Sequence, residues 1–130
     1  MNRPAGRGKD VIMPTERMKR FSDEREKLNE KVMKYAGLGM KRFYNLDMHT
    51  YEEGALDSKT KELLGLVASF VLRCDDCILH HLDRAHEEGA TSEEVQETLA
   101  IGLLVGGSIT IPHLRRAVEA WDEMQERGDD

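Results

Sequence analysis

Apolar positions recur with helical period along almost the whole chain, and no segment shows the alternation of a strand. From Thr15 onward, Met18, Phe21, Leu28 and Val32 form a heptad-like stripe broken by Arg25. Glu16–Arg20, Asp23–Lys27 and Glu30–Lys34 are favourable i,i+4 pairs on the opposite face. This predicts a long amphipathic helix ending near Gly37 or Gly39. The stretch to about Thr50 reads as a further short helix with Phe43, Tyr44 and Leu46 inward. Asp57 or Ser58 can cap a helix whose buried stripe is Leu63, Leu66, Val67, Phe70 and Val71. The next helix starts around Cys74 and stops at Gly89, a natural C′ residue.

Thr91-Ser92-Glu93-Glu94 is a capping box opening a helix that carries Val95, Leu99, Leu103 and Gly106. Gly102, Gly106 and Gly107 are costly in a helix interior, so close packing is expected there. Pro112 fits the first turn of a final helix with Leu114, Ala117, Val118, Trp121 and Met124 inward. The pattern predicts an all-α fold, a compact helical domain of about six helices spanning residues 15–127. Residues 1–14 hold Pro4, Gly6, Gly8 and Pro14 without periodicity and read as a disordered arm, and 128–130 as a tail. The apolar residues on the last two helices exceed what one small monomer needs, which points to an oligomer.

Composition narrows the function. The chain has 130 residues, 34% of them charged, and a net charge of −6, which argues against a nucleic-acid partner. Residues 1–20 carry six Lys/Arg against two acids, a basic arm read as solvated tail. No apolar run approaches the roughly 18 residues that cross a bilayer. No secretory signal is evident, so no membrane role and a cytoplasmic setting are expected. In that setting a C-x-x-C pair serves catalysis or metal binding more often than permanent cross-linking.

That pair is Cys74 and Cys77, the only cysteines, and His81 follows four residues after the second. On a helix these three share one face. An unperturbed thiol has a pKa near 8.5 and is mostly protonated at neutral pH, so a reactive cysteine needs a base or a stabilised anion. His81 lies one turn from Cys77 and can take its proton, and the helix N-terminus favours the thiolate. Glu62, on the preceding helix at the edge of the apolar stripe, is the carboxylate placed to orient His81 and stabilise its imidazolium. Asp75 and Asp76 act in the opposite sense, because they repel a neighbouring thiolate.

Glu62, Cys74, Cys77 and His81 match the E-x11-C-x-x-C-x-x-x-H signature, and the chain from about 15 to 127 resembles the alkylhydroperoxidase D-like proteins of the carboxymuconolactone decarboxylase superfamily. The resemblance implies an all-helical fold assembling as a homotrimer or homohexamer. It implies thiol-dependent reduction of a hydroperoxide substrate, with an external dithiol as reductant and no organic or metal cofactor. Cys77 would then attack the peroxide, Cys74 would resolve the sulfenic acid as a disulfide, and Glu62 and His81 would form the proton relay. The decarboxylase branch lacks the two-cysteine signature. Asp76 is a departure, standing where many relatives carry a histidine or an aromatic residue.

The residues alone leave other readings open. Cys74 and Cys77 could be two buried small side chains. They could also join His81 and either Glu62 or His80 in a zinc site. A non-enzymatic, redox-sensing or zinc-stapled helical oligomer is the alternative function. His80 points about 100° from His81 and is expected at the surface, as is His113, while His49 and His86 carry no signal.

Overall fold

The computed structural model describes residues 13–128. Among these residues six α-helices run in order: α1 (Glu16–Tyr35), α2 (Leu38–Thr50), α3 (Ser58–Val71), α4 (Asp75–Glu87), α5 (Ser92–Gly106) and α6 (Ile111–Gly128), with a 3-10 turn (Ser108–Thr110) before α6. Among the described residues there is no strand. The all-α expectation holds. The arm expected over 1–14 lies almost wholly outside the described residues, as does most of the expected 128–130 tail.

The helix boundaries follow from capping chemistry. Thr15, Asp57 and Thr91 each turn a side-chain oxygen to the backbone N–H three residues on. Thr91 and Glu94 form the expected capping box, each accepting the other's N–H. Gly89, with φ 85°, ends α4 as the C′ residue: its N–H bonds His86 and that of Ala90 bonds Ala85.

The same closure ends α3, with Arg73 in place of glycine. Arg73 has φ 62°, its N–H bonds Phe70, and the Cys74 N–H bonds Ser69. The left-handed residue reverses the chain at once, so Cys74 leaves α3 already serving as the N-cap of α4. Two helices of an antiparallel pair are thereby joined with the cysteines at the hinge.

The core is built by α3 to α6 with one contribution from α1. Leu66 and Phe70 of α3, Ile78, Leu82 and Ala85 of α4, Val95 and Leu99 of α5, and Ala117, Ala120, Trp121 and Met124 of α6 are buried together with Met18. Trp121 keeps its indole N–H satisfied by Ser92 Oγ at 3.0 Å. Gly102 lies against Phe70 and Gly106 against Thr110, as the close packing expected of them requires. Gly107 differs: it has open space around its Cα and a φ of 81°, so its role is the turn itself.

Several positions expected inside are outside. Phe43 is 68% exposed and Leu46 64%, and Tyr44 and Leu28 also face out. The helix α2 has no buried residue, and its Tyr44 hydroxyl donates to Asn29 Oδ1 of α1 at 3.4 Å. Val118 is likewise exposed, on the rim of an apolar groove of about 530 Å³ between α5 and α6. Helical period along one helix marks apolar positions but does not report whether the rest of the fold covers them.

Candidate active site

The site forms where α3 and α4 run antiparallel. Leu66 and Phe70 bury one face of α3, and Glu62, one turn earlier on that face, is carried inward with them. Gly65 allows α4 to bring His81 up to that carboxylate. A Cβ at position 65 would meet the His81 ring at 2.6 to 2.8 Å, so only a bare backbone lets the imidazole lie against α3. His81 Nδ1 is then 2.9 Å from Glu62 Oε1, with both side chains buried (7% and 3% exposed). A carboxylate oxygen accepts, so this contact puts the proton on Nδ1 and leaves Nε2 as the basic nitrogen. Arg84 Nε approaches the other oxygen, Oε2, at 4.0 Å, so the buried carboxylate faces the imidazole on one oxygen and a guanidinium on the other.

Cys74 and Cys77 are joined as a disulfide, their Cα atoms 5.3 Å apart. Cys77 is exposed, whereas Cys74 is half-buried and accepts the Cys77 backbone N–H at 3.2 Å. Of the two residues, Cys77 in the first turn is the more accessible and Cys74 at the N-cap the less. Cys77 and His81 line one cleft of about 940 Å³ between α1, α2 and the start of α4. The structure brings Glu62 to His81, Cys74 to Cys77, and Cys77 and His81 to a common cavity. Among the described residues, no group of three or more His, Cys, Asp or Glu side chains converges as a metal-binding set.

Two histidines expected at the surface are not there. His80 is half-buried and lines the cleft beside Cys77, because α1 covers that flank of α4. Burial, followed by the charge of Arg25 and the neighbouring His81 and Arg84, lowers its pKa to about 4. His113 is half-buried too, its Nδ1 2.7 Å from Asp75 Oδ1, and Arg116 Nε donates to Asp75 Oδ2 at 3.0 Å. The Asp75 carboxylate, expected to oppose a thiolate, is thus engaged on both oxygens by this pair of α6 residues.

Tyr51, just past α2, stacks obliquely on His81 with ring centroids 5.2 Å apart. Burial, Asp47 and Glu62 raise the pKa of its hydroxyl, which stays protonated. Gly65 carries a readable signal, a glycine inside an apolar helix three residues after Glu62. Tyr51 and Arg84 carry none, since each reaches the site through tertiary packing.

A helical domain with a dithiol pair at a helix N-terminus and a buried carboxylate–imidazole pair beside it is the class that fold and site define. Residues 38–120 match the carboxymuconolactone decarboxylase family, and the chain belongs to that family. A crystal structure of a Thermotoga maritima protein is similar: 59% identical, with a TM-score of 0.81, covering 83% of this chain and 95% of that one. A second crystal structure of that protein (59% identity, TM-score 0.79, 82% and 91% covered) describes it as a carboxymuconolactone decarboxylase family protein for which involvement in the antioxidative response is suggested. An apo structure of a family member from Legionella pneumophila shares 28% identity and a TM-score of 0.76 over 85% of this chain and 98% of that chain. No helix among the described residues is long and apolar enough to cross a membrane.

Proposed function

We propose that this chain is a dithiol-dependent peroxidase of the alkylhydroperoxidase type, with Cys77 as attacking thiolate and Cys74 as resolving thiol. The observation that carries the proposal is the buried Glu62–His81 hydrogen bond, set against the cleft that exposes Cys77. In the reduced protein His81 Nε2 takes the Cys77 proton, and Glu62 stabilises the resulting imidazolium. The thiolate attacks one oxygen of the hydroperoxide; the O–O bond breaks and an alcohol leaves with the proton from His81. Cys77 is now a sulfenic acid. The Cys74 thiol displaces its hydroxyl as water and closes the disulfide, which an external dithiol reduces to complete the cycle.

The difference in exposure supports the order of the cysteines, because the accessible sulfur is the one a substrate reaches. The first-turn position gives a thiolate there the partial positive charge of the helix N-terminus. The suggested antioxidative involvement of the Thermotoga relative agrees with this reading. A cytoplasmic setting, where thiol pools stay reduced, suits a pair that must cycle. We also assign the uncovered apolar face of α2 to contacts between copies, in a homotrimer or homohexamer.

The test is turnover of an organic hydroperoxide with dihydrolipoamide as dithiol donor. Wild type should consume peroxide catalytically and Cys77→Ser should not. Equal, slow consumption by both proteins, with the disulfide still forming in wild type, would favour a redox sensor instead.

A further inference from the structure

The Glu62–His81 relay accounts for the proton on the attacking sulfur. It leaves open what holds the departing oxygen while charge develops on it. His80 is placed for that task. It lies one turn after Cys77 on α4, so the two side chains share a flank of the helix, and both line the 940 Å³ cleft. Its ring meets His81 edge-on, with centroids 5.1 Å apart. The groups facing it are Arg25 from α1 and His81 and Arg84 from its own helix.

We propose that His80 is a second catalytic imidazole, whose ring N–H hydrogen-bonds the departing oxygen of the hydroperoxide as Cys77 attacks the other. This rests on the peroxidase reading of the same site. The Cys77 Sγ–O bond forms and the O–O bond breaks, leaving its electron pair on the departing alkoxide. Sulfur is oxidised to the sulfenic acid and the peroxide is reduced to an alcohol. The alkoxide takes the proton carried by the His81 imidazolium, so His80 donates a hydrogen bond but transfers no proton. With its pKa held down to about 4, the His80 ring is neutral near pH 7 and does not compete for the thiol proton. A donor fixed where charge develops acts on the transition state more than on the bound peroxide.

The experiment compares reduced wild type, His80→Phe and His80→Gln in two reactions of Cys77, followed by quenched-flow mass spectrometry. One is oxidation by cumene hydroperoxide; the other is alkylation by iodoacetamide across pH, which has no departing oxygen. His80→Phe should slow peroxide oxidation by about a hundredfold, the scale of losing one such donor. His80→Gln, which keeps an N–H, should recover most of that loss. The alkylation profiles of both variants should overlay wild type. Peroxide oxidation of His80→Phe at the wild-type rate overturns the proposal, as does an equal slowing of both reactions, which marks a structural role. A wild-type protein inert to the peroxide, though alkylated normally, overturns the peroxidase reading itself.

Discussion

The imidazole of His81 lies against the backbone of Gly65, closer than any side chain at that position would allow. The glycine sits in the interior of α3, where it costs about 0.5–1 kcal/mol relative to alanine in helix stability. That cost is offset by the approach it permits between α3 and α4. Gly65→Ala should therefore lower stability, the reverse of the usual glycine-to-alanine effect in a helix, by about 1–3 kcal/mol of overpacking. It should also push His81 off Glu62 and move the pH-dependence of Cys77 alkylation to higher pH. Chemical denaturation together with iodoacetamide labelling checks both; a more stable variant with unchanged labelling contradicts the close-approach account.

Arg73 occupies a left-handed conformation that disfavours residues with a Cβ, immediately before Cys74. Relieving it by Arg73→Gly should stabilise the protein by up to about 1 kcal/mol, since about 1–2 kcal/mol of strain is offset in part by the extra freedom of glycine when unfolded. Peroxide turnover should be retained, because the turn geometry is the same. A shift in the denaturation midpoint reads the first effect; a fall in stability shows that the Arg73 side chain contributes more than its backbone costs.

Asp83 and His80 give the fold opposing responses to acid. Burial and the charge of Glu87 raise the Asp83 pKa to about 6, against the compensating charges of Arg84 and Arg25. Between about pH 4 and 6 the folded chain holds a proton that the unfolded chain has released, so this group's contribution falls as pH rises. His80, lowered to about 4, works the other way: the unfolded chain gains the proton first on acidification, so stability is lost as pH falls from about 6.5 toward 4. Asp83→Asn should raise the melting temperature at pH 7 and give little gain below pH 4. Its stability should then climb more steeply with pH across the window than that of wild type. A variant gain that is the same at pH 4 and pH 7 contradicts the assignment.

The exposed face of α2 yields a prediction about mass. A 13-residue helix without a buried residue is marginal on its own. Phe43→Asp combined with Leu46→Asp should reduce a trimer or hexamer to smaller species in analytical ultracentrifugation while leaving far-ultraviolet circular dichroism helical. A wild-type protein that sediments as a monomer removes the role given to this face.

The helical pattern is legible in the sequence because each helix announces itself locally. Thr15, Asp57 and the Thr91–Glu94 box carry their own start signals, and Gly89 carries a stop. The C-x-x-C and its histidine are legible for a related reason: their spacing is that of one helix. The depth of Glu62, the flank of α4 that α1 covers, and the pairing of Asp75 with His113 and Arg116 depend on residues far apart in sequence. Periodicity along one helix cannot report them. For that reason the pattern puts His80 and His113 at the surface, and Phe43, Tyr44 and Leu46 in a core that α2 does not reach.

The most direct measurement tracks the Cys74–Cys77 disulfide by mass spectrometry after one equivalent of cumene hydroperoxide is added to the reduced protein at pH 7. Wild type should lose two hydrogens as the disulfide closes, with one alcohol released per chain. Glu62→Gln and His81→Phe should close it about a hundredfold more slowly, the lower side of what a positioned general base contributes, and Cys74→Ser should stop at a sulfenic acid on Cys77. Disulfide closure at the wild-type rate in both relay variants would contradict the claim that the buried Glu62–His81 pair activates Cys77.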